Sequence, residues 1–215
     1  MIPDKLVPIA TAAIMTLGQM ITPSVPVQTL ASHEISLQNR YPVQSVSDIF
    51  QDNILLNLAY MRGLVQTDNK VTWDEVKKPF HFEFTLEPNK TFAYHDDVSS
   101  EYKDSLVKTT QAHFNSAEGF KTDGYLVGDG VCHLASLMYW VAKDAGLTAV
   151  APTNHNFMAI PEIDKQYGVS IYSNPSSKGS STKQNLYITN NTDKNVVFQF
   201  DYADGKLKAA ILKES

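Results

Sequence analysis

"GDGVCHLASLMYWVAKDAGL" spans residues 128–147 and holds the chain's only cysteine, Cys132. On a helical wheel Leu134, Leu137, Met138, Val141 and Ala145 share one side, while Ala135, Tyr139 and Trp140 lie on the other. Only Ser136, Lys143 and Asp144 are plainly polar. A helix that is apolar nearly all round is a buried one. Asp129 or Gly130 supplies its start, and Gly146 a left-handed stop. The stretch therefore predicts a central buried helix with Cys132 in its first turn.

The segments on either side predict what that helix packs against. Upstream, "SVSDIFQDNILLNLAYMRGLV" (45–65) reads as a helix capped by Ser47 and stopped at Gly63. "FHFEFTL" (80–86) alternates strictly, with Phe80, Phe82, Phe84 and Leu86 on one face, which is the period of a half-buried strand. "FAYHDDV" starts another extended piece, its "YHDD" (94–97) a solvated turn, and "SSEYKDSLVKTTQAHF" (99–114) reads as a polar helix. Downstream come short extended segments at 147–153, 156–162, 168–172, 185–191 and 195–202, then an Asp204-Gly205 turn and a returning strand. Strands without helices between them imply an α+β fold with a largely antiparallel sheet.

At 215 residues the chain suits one domain with a short appendage. Its 43% hydrophobic content supports a packed core, and a net charge of −5 without a basic stripe argues against nucleic acid as a partner. One cysteine excludes an internal disulfide. "KLVPIATAAIMTLGQMI" (5–21) follows a weakly positive start and precedes a Pro-, Ser- and Thr-rich stretch. Residues 1–31 fit a signal peptide cleaved near Thr29 and Ala31, a retained membrane anchor, or an ordinary packed helix. Residues 32–45 read as a linker and 46–215 as the domain.

A cysteine at a helix N-terminus meets unpaired N–H groups and the positive end of the dipole, which lower a thiol pKa by about one unit or more. The same N–H groups can hold an oxyanion. A nucleophilic thiol also needs an imidazole. His155, opening the extended "NFMAIPE", is the candidate; His133 points about 100° away on the helix and is the weaker one. The competing reading makes Cys132 an inert buried residue. A zinc site from Cys132, His133 and His155 lacks a fourth ligand. Tyr125, Tyr139, Trp140 and Tyr172 are candidates for core packing or for lining a cleft near the cysteine, and no cofactor motif is present.

"FNSAEGFKTDGYLVGDGVCHLASLMYWVAKDAGL", "TNHNFM" and "NLYITNNTDKNVVFQF" together resemble the VanW-like proteins, as do "DNILLNLAYMRG" and "LEPNKTFAYHD" upstream. The resemblance covers roughly residues 50–202. It implies a bacterial, extracytoplasmic setting and a layout similar to transglutaminase-like and papain-like domains, with a cysteine at a central helix start and a histidine on a following strand. It implies no established reaction. The sequence departs from the family pattern in having His133 after the cysteine, where glutamine is common, and in lacking an aspartate in "YGVSIY" (167–172). Asp164 or Asn174 are the candidate replacements for that third group.

Two functions follow. One is a thiol hydrolase or acyltransferase acting on amides of peptide or peptidoglycan stems, with Cys132 as nucleophile and His155 as base then acid. The other is a non-catalytic cell-surface module that binds cell-wall peptide or a partner protein.

Overall fold

The computed structural model describes residues 27–66, 70–124, 128–174 and 176–214. Its organising element is the hairpin β7 (Val196–Ala203) and β8 (Lys206–Glu214). The turn is Asp204-Gly205, with φ of 52° and 74°, the two positive values that a tight two-residue hairpin turn demands. Val196, Phe198, Phe200 and Tyr202 point inward at period two and are buried. β2 (Phe80–Leu86) pairs with the free edge of β7, setting Phe84 opposite Phe198 with rings 4.8 Å apart and nearly parallel. β1 (Val27–Ser36) pairs with the other edge, so this sheet runs β1-β8-β7-β2 and is antiparallel throughout.

A second sheet has the order β4-β3-β6-β5, formed by β3 (Thr91–Ala93), β4 (Leu106–Lys108), β5 (Thr148–Val150) and β6 (Tyr187–Thr189). Only β3–β4 is parallel. Two helices carry most of the core between the sheets: α1 (Gln44–Met61) and α3 (Val131–Asp144). One-turn helices α2 (Trp73–Val76) and α4 (Lys178–Ser181) complete the set among the described residues. α3 packs on β1 and β8 of one sheet, β5 of the other, and α1. Its Leu134, Ala135, Leu137, Met138, Val141 and Ala142 are fully buried. The fold is thus α+β, with a central buried helix on mainly antiparallel sheet.

α1 also positions what precedes α3. Asn53, buried, donates to the carbonyls of Lys121 (3.0 Å) and Asp129 (2.8 Å) and accepts from the Lys121 amide (2.8 Å). Asn57 reaches the Tyr94 hydroxyl, which in turn donates to the Val131 carbonyl at 2.9 Å. Gly130 caps α3 with φ +98°. A Cβ built there would lie 2.6 Å from the Phe50 carbonyl oxygen, so only glycine lets α1 and the start of α3 approach this closely.

Several expectations are corrected. Residues 32–36, read as linker, belong to β1, which buries Ile35 and completes its ladder on β8. The candidate cleavage residues Thr29 and Ala31 pair with Leu212 and Ile211 in that strand. The apolar segment before them, apart from these strand residues, lies outside the described residues. No described helix is long and apolar enough to cross a membrane. Ser47 is not a cap: α1 starts at Gln44, and the Ser47 hydroxyl instead donates to the Gln38 carbonyl and accepts from the Arg40 amide.

The polar helix over 99–114 does not form. Only Ser100–Tyr102 makes a 3-10 turn before β4. Tyr102 stacks on Tyr187 at 4.2 Å, Ser105 bonds Thr91, and Gln111 and Phe114 take positive φ, so tertiary partners override helix propensity. His95, in the expected solvated turn, is fully buried, with Nε2 on the Gln184 carbonyl. Segments 156–162 and 168–172 are not strands. They exchange isolated bonds with their neighbours, His155 N–H to Gly168 and Ser170 N–H to Thr153, while Pro161 lacks a donor and Glu162 has φ +66°.

Candidate functional site

A cleft of about 540 Å³ opens at the start of α3. Phe50 of α1, Phe114, Phe157, Met158 and Ile171 make its walls apolar, and Tyr172 stands at its edge. The histidines 133 and 155 and the sulfur of Cys132 line it, along with His113 and Asp129. A smaller cavity of about 190 Å³ shares His155, Phe157 and Met158. Phe157 is 73% exposed, yet its ring lies 4.0 Å from the His155 ring, tilted by 44°, so a largely exposed aromatic side chain packs against the imidazole at the junction of the two cavities.

Cys132 does sit in the first turn of α3, as the sequence implies, but its surroundings favour the thiol over the thiolate. The sulfur faces the Ile171 backbone, accepting from the N–H at 3.4 Å and lying 3.8 Å from the carbonyl oxygen. Burial pushes the thiol up to about 11; the Ile171 N–H opposes this and the charge of Asp129 adds to it. Desolvation is the largest influence on the thiol and the net shift is upward, against the lowering expected from the sequence.

His155 is buried, on an irregular loop rather than a strand. Its Nδ1 lies 3.1 Å from the Met158 carbonyl. A carbonyl only accepts, so Nδ1 carries the proton and Nε2 keeps its lone pair. Burial lowers the pKa of His155, partly offset by that carbonyl. Cys132 and His155 share the cleft, but no hydrogen bond or ion pair joins them among the described residues.

Neither candidate third group reaches His155. Asp164 caps the 3-10 turn Lys165–Tyr167, accepting from the Gln166 amide at 3.2 Å. Asn174 bonds the Tyr172 hydroxyl and the Ser181 hydroxyl. The group on the far nitrogen is a neutral main-chain carbonyl. His133 is 1% exposed, edge-on to Phe50 at 5.1 Å and to His155 at 6.3 Å. Burial, with the charge of Arg40 behind it, lowers its pKa to about 3. Among the described residues no group of three His, Cys, Asp or Glu side chains is arranged to hold a metal.

A family model described as VanW like protein matches residues 83–212. The chain belongs to that family. No curated protein and no solved structure matches it. The VanW-like match contains Cys132, His133 and His155 but neither β1 nor α1. Phe50, which walls the cleft, and Asn53, which fixes the loop before α3, thus lie outside the matched region.

The residues that sequence reasoning missed are Phe50, His113, Asp129 and Ile171. His113 at the cleft mouth is held by Glu118 (2.7 Å) and Asp96 (3.2 Å). Burial lowers its pKa, but those two carboxylates outweigh it and the net shift is upward. Burial raises Asp129 to about 6. Glu118 three residues after Asn115, a capping box, was the one sequence signal for the His113 cluster. Of the aromatics singled out, Tyr172 lines the cleft; Tyr139 and Trp140 pack against Tyr167 instead, and Tyr125 lies outside the described residues.

Proposed function

We propose that the cleft at the start of α3 is a binding site for peptide of the bacterial cell envelope, and that the protein works outside the cytoplasm as a recognition module. The observation that carries this reading is the state of the sulfur: half-buried in the cleft wall, packed on the Ile171 main chain, pushed up to about 11, and without a hydrogen bond to an imidazole. A thiol of that kind is almost wholly protonated at neutral pH and is a poor nucleophile. What surrounds it is a concave apolar surface with a few polar groups, the usual composition of a ligand site.

Titration of a soluble peptidoglycan stem peptide into the full chain, followed by backbone amide shifts, tests the proposal. Changes confined to Cys132, Phe157, Ile171 and Tyr172 support it. Changes elsewhere, or none up to millimolar peptide, oppose it.

A second reading, thiol-dependent amide hydrolysis or acyl transfer, is favoured by one feature. The Met158 carbonyl sets His155 in the tautomer that leaves Nε2 free to act as a base. The layout similar to transglutaminase-like and papain-like domains, with a cysteine starting a central helix and a histidine on a later segment, belongs with this reading. It requires a rearrangement that brings sulfur and imidazole together on substrate binding.

A further inference from the structure

The polar group in this cleft that the reading above leaves without a role is His133. Its ring is 1% exposed, and neither Nδ1 nor Nε2 has a hydrogen-bond partner among the described residues. Buried side-chain nitrogens are normally paired. The ring stands edge-on between Phe50 and His155 in the cleft lining, so packing, not polar contact, holds its orientation.

We infer that His133 is the recognition group of the cleft, its N–H offered to the carbonyl of one amide of a bound peptide and its lone pair, on the opposite side of the ring, to the N–H of another. This rests on the peptide-binding reading. The charges nearby favour a neutral partner. Arg40 lies within electrostatic reach of His133; its two terminal nitrogens are bonded to Glu162 and the Pro161 carbonyl, while its buried Nε has no hydrogen-bond partner among the described residues. Burial and Arg40 together keep the imidazole uncharged at neutral pH, so it cannot serve as a cation for a carboxylate. The carboxyl of Asp129 in the same cleft further disfavours an anionic ligand. A neutral imidazole has one donor and one acceptor on opposite sides of its ring, which successive amides of a peptide can meet with a carbonyl and an N–H. The phenylalanines around it suit an apolar side chain beside those amides.

The test uses the full chain with ¹⁵N in its histidine rings, titrated with N-acetyl-L-phenylalaninamide. The His133 ring signals, identified by their loss in His133→Gln, should move on binding. His133→Leu should weaken the dissociation constant about tenfold, the worth of one net hydrogen bond at a desolvated site. His133→Gln, which keeps a donor and an acceptor, should restore it to within about threefold. The His155 ring signals verify that each variant is folded. If the probe shifts Cys132 and Phe157 but leaves the His133 nitrogens unmoved, and His133→Leu binds equally well, this inference is overturned and the peptide reading stands. If the probe binds nowhere in the cleft, both are overturned.

Discussion

Alkylation of Cys132 by iodoacetamide follows quantitatively from where its sulfur sits. With a pKa of about 11, against about 8.5 for a free thiol, the thiolate fraction at pH 7 falls roughly 300-fold. Nucleophilicity rises with pKa, with a Brønsted slope of about 0.4–0.5, which returns a factor of about 10. The native protein should therefore react roughly 30-fold more slowly than a free thiol. The rate should climb about tenfold per pH unit well past pH 9. Because Cys132 is the only cysteine, one mass increment reports the whole reaction. In urea the rate should return to that of a free thiol. The reasoning is refuted by a native rate at pH 7 equal to or above the free-thiol rate, above all if His155→Ala then slows it several-fold. That result would mean an ion pair forms in solution and a working nucleophile sits at 132.

Three further outcomes test the scaffold around the site. Gly130→Ala places a methyl 2.6 Å from the Phe50 carbonyl oxygen at φ +98°; it should cost at least ~2 kcal/mol in urea unfolding, and a loss under ~0.5 would contradict the close approach of α1 and α3. His133 holds a folded-state pKa of about 3, below its unfolded value of about 6.5, so its contribution is fully present above pH 6.5 and is lost as pH falls toward 3. His155 shifts the same way, so His133→Leu should flatten only part of the acid limb of a stability–pH curve. His33 stacks on Trp140 at 3.5 Å with Nε2 2.7 Å from Asp144, pinning β1 to α3; His33→Ala should cost about 1 kcal/mol, as expected for a partly exposed pair, and should speed amide exchange in β1 but not in β7.

How much of this was legible in the sequence depends on whether a segment's partners are local. β2 announced itself because four alternating apolar residues mark one face, and the Asp204-Gly205 turn announced the β7–β8 hairpin because two positive φ values need those residue types. α3 was legible from its apolar circumference and its two flanking glycines. β1 was not, since its residues are half exposed and its order comes from a ladder to residues 206–214 at the far end of the chain. Residues 99–114 carry helical propensity that Tyr187 and Thr91 override from outside the segment.

The site divides in the same way. That Cys132 would start a helix could be read from the sequence; that His155 and Tyr172 line one cleft with it stood there only as one alternative beside core packing. The protonation state of Cys132 could not be read there. The dipole of its own helix argues for a thiolate. Desolvation decides it, in a cleft whose lining includes Phe50, Phe114 and Ile171, which lie 82, 18 and 39 residues away in sequence. The far-nitrogen partner of His155 was likewise invisible, because it is the main-chain carbonyl of Met158 rather than a side chain.

The central claim is that the cleft binds cell-envelope peptide without covalent chemistry at the sulfur. The most direct measurement incubates the wild-type chain and Cys132→Ser with a peptidoglycan stem peptide, quantifying bound peptide by titration calorimetry and products by mass spectrometry. The account predicts dissociation constants equal within about threefold and an unchanged peptide with both proteins. Cleaved or transferred peptide that forms with the wild-type chain and vanishes with Cys132→Ser would contradict it.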